Sequence, residues 1–285
     1  MAISDIRKFM LTACLAAIPV VSLNAADDDF RIEWSRTRMD GSRTGCVSPS
    51  ADDIASTIGT VKGKTYCSPG GKVYRGGTAA AVASVVLDAQ PVMAPVKKVI
   101  GHAPEAMVSE EPESALSNLF VDRIMAAVEQ KSGRHVDVGI GNFGGIRVDM
   151  PQGDILLDDL LSMFPFKNSI VYVALKGKDL RNILEQMAAT RVQVLGGVRI
   201  VVSDGKLLCA TIDGQPIDDG KVYGVATISF LLDGGDNLHV GKNALEILDY
   251  DDIDIIDIML EYVNAETAAG RDIVYHTDGR VKILD

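Results

Sequence analysis

Histidine is scarce in this 285-residue chain, and the four present, His102, His135, His239 and His276, stand apart from one another. A two-metal hydrolytic centre needs several His, Asp and Asn ligands converging, and there is no His-x-His, Asp-x-His or Asn-His pair to start one. No Gly-x-Ser-x-Gly elbow accompanies the isolated histidines, which excludes a Ser-His-Asp hydrolase of that type. The four cysteines, Cys14, Cys46, Cys67 and Cys209, include no CxxC spacing, so zinc is not expected. Cationic excess is missing too. With 39 acidic against 28 basic residues and a net charge of -11, the chain is a poor partner for a nucleic-acid polymer. These absences leave no expected catalytic residue, metal ligand or cofactor in this chain.

One long apolar run stands at the start. Arg7 and Lys8 precede residues 9–23, broken only by Thr12, Pro19 and Ser22, and the run gives way to Asn24-Ala25-Ala26 and three aspartates. This pattern predicts an export signal over residues 1–26, cleaved near Ala25 or Ala26. The run is too short for a membrane span, which takes about 20 residues, and no later segment reads as one. Leu11-Thr12-Ala13-Cys14 also resembles a bacterial lipoprotein box, which would tether the protein through Cys14. The expected location is therefore outside the cytoplasm, in the periplasm or cell envelope. An oxidising compartment would allow Cys46 and Cys67, both in loop-like surroundings, to pair, whereas Cys209 sits in an alternating strand pattern and is expected to be small and buried.

Residues 27–77, rich in Gly, Ser, Thr and Asp and holding the only tryptophan, Trp34, predict a small extension of short strands and turns. Residues 78–285 predict the main domain. Residues 78–94 give a small-residue helix with Val82, Val85, Val86 and Ala89 on one face, followed by a strand at 96–100. A second helix covers 115–130, with Ser114 as its cap and Leu116, Leu119, Phe120, Ile124 and Val128 on its apolar side. A strand at 136–140, a strand at 169–176 and a helix at 178–189 follow, the last burying Leu180, Ile183, Leu184 and Met187. Asp204-Gly205, Asp213-Gly214 and Asp278-Gly279 each separate apolar alternating runs, which predicts hairpins. An acidic helix is expected over 251–263, with Ile255, Ile258, Met259 and Tyr262 buried. The class is α+β, a mixed and partly antiparallel sheet with flanking helices.

The densest chemistry lies at residues 139–168. Gly139, Gly141, Gly144 and Gly145 can let backbone amides approach a ligand, and Arg147 can set a planar cation beside them. The Gly139-x-Gly141-x-x-Gly144 spacing matches a dinucleotide fingerprint, but Ile146 to Pro151 holds no helical stripe, which the fingerprint requires. Phe166, after Pro165, puts a flat apolar ring on a loop. A strand at 222–228 leads into Phe230 and the Gly234-Gly235-Asp236 turn. The two loop phenylalanines could clamp a flat base, with Asp236 accepting from ribose hydroxyls and Asn142 and Arg147 addressing its polar edge or phosphate.

Together these motifs resemble the carboxy-terminal, substrate-binding domain of the 5'-nucleotidase and UDP-sugar hydrolase family over residues 99–284. The resemblance implies substrate-binding roles for Asn142, Arg147, Phe166, Phe230 and Asp236, supported by Gly144, Gly145, Gly234 and Gly235. It also implies what is missing. The family's metallophosphatase domain, with its divalent metal ions and catalytic His-Asp pair, has no counterpart here, Pro112 stands where the family carries a further arginine, and Phe143 where it usually has glycine. The expectation is the nucleoside- or nucleotide-binding half of a divided nucleotidase, its metal ions held by a separate metallophosphatase subunit. A stand-alone nucleoside-binding or scavenging module is the alternative.

Overall fold

The computed structural model describes Gly45 and residues 53–284. The expected export signal, Cys14, Trp34 and the Cys46 of the expected disulfide lie outside them. The chain divides into two compact units, Met1–Gly59 with Cys67–Val73, and Thr60–Tyr66 with Tyr74–Asp285. In the first, Asp53 caps the single-turn helix α1 (Ile54–Thr57) by accepting from the Ser56 N–H at 3.1 Å.

In chain order the remaining elements are β1 (Thr60–Lys62), β2 (Thr65–Cys67), β3 (Val73–Arg75), α2 (Gly77–Met93), β4 (Val99–Ala103), α3 (Ala115–Ser132) and β5 (Val138–Gly141). Next come β6 (Gly153–Leu156), α4 (Leu157–Met163), β7 (Ser169–Lys176), α5 (Gly177–Ala189), β8 (Val194–Gly196), β9 (Val198–Ser203) and β10 (Lys206–Ile212). The chain closes with β11 (Gln215–Pro216), β12 (Val222–Ile228), β13 (Glu246–Asp254), α6 (Ile255–Ala268) and β14 (Val281–Leu284). The architecture is α+β. A five-stranded sheet runs β13-β7-β12-β5-β8, a four-stranded one β11-β10-β9-β14, and β4 pairs with β6.

Strand β7 is the centre of the larger sheet. Every residue from Ser169 to Leu175 is buried, because antiparallel partners flank both edges and helices cover its faces. Helix α3 packs over β5, β7, β8 and β12, and α5 packs on β7, β12 and β10. The approach of α3 is close. A Cβ on Gly139 would meet Val121 at 2.6 Å, one on Gly141 would meet Phe120 at 2.7 Å, and one on Gly196 would meet Met125 at 2.6 Å. These glycines serve helix-on-sheet packing.

Several elements depart from the sequence expectation. The strand expected at 96–100 is a 3-10 turn, Ala94–Lys97, followed by β4. The acidic helix begins only at Ile255, because β13 runs to Asp254 as the outer neighbour of β7, paired at residues 246–250 and again at Asp254 across an irregularity, although Ile255, Ile258 and Met259 are buried as expected. Asp278-Gly279 makes no hairpin, since β14 pairs in parallel with β9, whereas Asp204 and Asp213 do turn β9 into β10 and β10 into β11, with left-handed φ of 48° and 51°. Cys209 is exposed, not buried, at an irregularity in the β9–β10 register between Leu207 and Cys209. Helix α2 lies where expected, but its valines face solvent and only Ala80 and Ala83 are buried. The stretch Gly77–Lys97 is also long and apolar enough to cross a membrane, against the expectation that no segment after residue 23 would be.

Two polar clusters tie the C-terminal residues to α3. Ser114 caps α3 with its hydroxyl accepting from the Ser117 N–H, as expected. Beside it, Glu113 accepts from Asn118 Nδ2 at 2.8 Å and from the N–H groups of Asp278 (2.8 Å), Gly279 (3.1 Å) and Arg280 (2.8 Å). On the other flank Arg280 makes two 2.7 Å bonds to the Asp122 carboxylate, whose second partner is the Tyr275 hydroxyl. Burial and that bond push the Tyr275 phenol up to about 12.

Partial burial would raise the Glu113 pKa, but its hydrogen bonds more than offset this and hold the carboxyl below its ordinary 4.5. A depressed carboxylate contributes stability above the unfolded pKa and loses it as pH falls through the folded one. Glu113→Gln should therefore cost about 1–3 kcal/mol at neutral pH in urea unfolding. The gap to the native protein should narrow as pH falls below 4.5 and through the lowered folded pKa; a gap that does not narrow as the carboxyl protonates would contradict this assignment.

Candidate functional site

The site is assembled by strand direction. Strand β12 runs parallel to β5, with Val225 opposite Val138, and antiparallel to β7, with Ile228 opposite Ile170. The exit of β5, the exit of β12 and the entry to β7 therefore share one end of the sheet. Ser169 N–H bonds the Ser229 hydroxyl at 3.1 Å, which fixes the last two together. Asn142 leaves β5 there, Phe166 stands just before β7 and Phe230 just after β12.

Around Asn142 the backbone makes a 3-10 turn, Phe143–Gly145, and Arg147 N–H bonds the Met163 carbonyl at 2.9 Å. That bond joins the first glycine turn to the loop of Phe166. Arg147 lies with its guanidinium carbon 5.8 Å from the Phe166 ring centre, a cation–π geometry, and donates to the Gly144 carbonyl at 3.3 Å. Asn142 Nδ2 donates to Asp236 Oδ2 at 2.7 Å, which joins the first glycine turn to the second. Asn142, Arg147, Phe166 and Asp236, predicted from three separate stretches, thus form two contacting pairs, Asn142 with Asp236 and Arg147 with Phe166.

The Asn142 amide is 4% exposed and its orientation is fixed by chemistry. A carboxylate only accepts, so the group facing Asp236 must be the NH₂. The amide oxygen then has no protein partner and remains as an acceptor beside Gly145. Burying an acceptor unpaired costs about 1–3 kcal/mol, so the geometry favours a donor from water or a ligand at that point.

The four site glycines divide between two tasks. A Cβ on Gly144 would stand over the site, nearest to Asn142 Nδ2 at 3.4 Å, whereas one on Gly145 would come within 2.7 Å of the Asn142 oxygen. Gly234 takes a left-handed φ of 114°, and Asp236 and Asn237 follow at 49° and 61°. Asn and Asp tolerate that region better than other side chains with a Cβ, and this backbone aims the Asp236 carboxylate at Asn142. Gly235 lies under Phe230, where a Cβ would fall 2.6 Å from the ring and 2.2 Å from the Phe230 carbonyl.

Phe166 and Phe230 are 47% and 46% exposed, unusual for phenylalanine in a chain with this much core. Among the described residues the aromatic stacks are Tyr66–Tyr74 and Phe120–Phe164, so neither exposed ring is stacked on another. The Phe120–Phe164 stack, at 5.4 Å, forms part of the floor of a small cleft that Gly145, Phe166 and Ile228 also line. Sequence reasoning missed this floor because Phe120 reads as an ordinary core position of α3. It also missed Gln193, which is buried and accepts the Phe143 N–H at 3.2 Å, and Arg191, which is paired with Glu111 and interacts with Asp236 at longer range. No local pattern marks either residue. Among the described residues no group of three or more His, Cys, Asp or Glu is placed to hold a metal ion.

The family model of the 5'-nucleotidase C-terminal domain matches residues 99–243, just over half of the chain. The protein UshA of Salmonella pullorum is 36% identical over 118 residues, 40% of this chain and 21% of its own length. Among solved structures, a 5'-nucleotidase precursor from Thermus thermophilus aligns with a TM-score of 0.64 and 23% identity, covering 78% of this chain and 50% of its own. The NAD nucleotidase of Haemophilus influenzae aligns at 0.54 and 16% identity, covering 77% and 47%. These two likenesses are of fold. The chain spans about half the length of these solved structures and about a fifth of UshA.

The glycine geometry yields a paired test. Gly145→Ala should displace the Asn142 amide and destabilise the protein by about 1–3 kcal/mol in chemical unfolding, while Gly144→Ala should fold with little loss. Equal stability of the two variants would remove the close approach of Gly145 to Asn142 as a constraint.

Proposed function

Because the chain belongs to the family of 5'-nucleotidase C-terminal domains, we propose that it is the nucleoside- or nucleotide-binding half of a divided, exported 5'-nucleotidase. The observation that carries this reading is the hydrogen bond from Asn142 to Asp236, set at the same sheet end as two exposed, unstacked phenylalanines. In the proposal a nucleobase lies between Phe166 and Phe230, whose rings supply apolar faces at low entropic cost. The Asn142 oxygen takes a hydrogen bond from the ligand, Asp236 accepts from ribose hydroxyls, and Arg147 faces the base edge or phosphate. Gly144 and Gly145 keep the approach open, and Gly234 and Gly235 shape the Asp236 turn.

The part played by these residues is binding and orientation. Holding a phosphate ester in a reactive pose removes translational and rotational freedom before the chemical step, which is a large contribution in itself. The metal-dependent step belongs, in this proposal, to a separate metallophosphatase subunit. The basic start, apolar run and small-residue exit at residues 7–26 support export.

Calorimetry with adenosine and AMP tests the binding half of the proposal. Phe166→Ala and Phe230→Ala should each weaken binding by about 1–3 kcal/mol, on the scale of base–aromatic stacking in single-stranded nucleic acids, and unchanged affinity in both would remove the clamp. The purified chain supplied with Mn²⁺ should not hydrolyse AMP, and hydrolysis should appear when the metallophosphatase subunit is added. Rapid turnover by the chain alone would overturn the division of labour.

A further inference from the structure

A second guanidinium stands at the same end of the sheet as Asn142. Strand β8 runs antiparallel to β5 with Val194 opposite Gly141, so the residues just ahead of Val194 extend past the edge at which β5 releases Asn142. Arg191 is one of them. Two hydrogen bonds fix the chain on either side of it. Gln193, 2% exposed, accepts the Phe143 N–H at 3.2 Å, and Gln186 Nε2 donates to the Asn237 carbonyl. Arg191 is therefore held between the first glycine turn and the second, toward Asp236, while Arg147 stands at the Phe166 ring.

Glu111 sets the pose of this side chain. Arg191 Nε donates to Glu111 Oε1 at 3.1 Å and Nη2 donates to the same oxygen, with Nη1 left out of both bonds. The hydrogen bond to Glu111, and the charges of Glu111 and Asp236, outweigh desolvation and hold the guanidinium above its ordinary 12.5. Both partners are about half exposed, and exposed ion pairs add little to the stability of a fold. What the pair does supply is a long side chain already fixed in one orientation, which lowers the entropic cost of meeting a ligand.

A guanidinium placed in this way suits an anion. Its planar fork matches phosphate oxygens and donates charge-assisted bonds to them, whereas a neutral nucleoside has no charge to offer. Asp236 sharpens the requirement. A phosphoryl group on a ribose held by Asp236 would lie near that carboxylate, and like charges repel. A cation on the Asp236 side of the site offsets the repulsion. We propose that Arg191, positioned by Glu111, binds a phosphoryl group carried on the ribose and so sets a preference for nucleotides over nucleosides. The proposal rests on the reading of this site as nucleoside-binding and adds to it the residue that reads the charge.

Calorimetry of the full chain with adenosine, 5'-AMP and 3'-AMP tests this, for the unsubstituted protein and for Arg191→Ala, Arg191→Lys and Arg134→Ala. Arg134 is an exposed cation ahead of β5, at the opposite end of that strand from Asn142, so its loss changes the net charge equally without touching the site. The unsubstituted chain should bind at least one of the two nucleotides more tightly than adenosine. Arg191→Ala should weaken that nucleotide about ten-fold or more, the scale of a lost hydrogen bond to a charged group, and leave adenosine binding and the circular dichroism spectrum unchanged. Arg191→Lys, which keeps the charge but not the fork, should fall between, and Arg134→Ala should alter none of the affinities. Whether 5'-AMP or 3'-AMP carries the loss shows where on the ribose the phosphoryl group sits. Equal weakening of adenosine and both nucleotides would make Arg191 a structural residue and overturn the proposal. So would nucleotides that bind no tighter than adenosine, an undiminished nucleotide affinity in Arg191→Ala, or an equal loss in Arg134→Ala. Each of those results leaves adenosine bound and the nucleoside site standing, whereas a chain that binds none of the three ligands sinks both readings.

Discussion

Strand β7 can be buried from Ser169 to Leu175 only if both of its edges are paired, and the pairing with β12 is antiparallel over Val222–Ile228 and Lys176–Ile170. Backbone groups in a buried strand have no water to fall back on, so this ladder is obligatory. Its consequence lies at one end of the sheet. The register that satisfies β7 also brings the Phe166 loop to the exit of β12, and the parallel β5 brings Asn142 to the same edge. The candidate site is therefore a by-product of core pairing, and its side chains need only short loops to reach one another.

Much of this was legible in the sequence. Strands β7 and β12 fall at the expected residues, and α5 buries Leu180, Ile183, Leu184 and Met187 as its periodicity required. The site motifs were visible because glycine, a loop phenylalanine and an isolated Arg in short succession have few purely structural explanations. Their mutual contacts were not visible, since Asn142 and Asp236 are 94 residues apart and only strand direction unites them.

The misreadings share a cause: local pattern cannot say what lies opposite. Residues 251–254 read as the start of the acidic helix, yet they finish the strand whose residues 246–250 pair with β7, and Asp254 pairs with Ser169 after an irregularity. Cys209 alternates correctly but falls at a register irregularity that turns it outward. Gly139 and Gly141 looked like ligand-facing glycines, but the helix above them needs their missing Cβ atoms. Helix α2 was recognised as a helix with an apolar face, and the structure leaves that face bare.

The cluster around Glu113 reaches beyond the stretch the family shares. The matched residues stop at 243, but the Glu113 carboxylate beside the cap of α3 takes its N–H donors from residues 278–280, and β9 gains its second neighbour only from β14. During synthesis, α3 and β9 emerge from the ribosome long before these partners, and domains otherwise tend to fold as they are made. The nascent domain must wait half-formed, with one edge of β9 unpaired and open to association, until residues well past the shared boundary have left the exit tunnel.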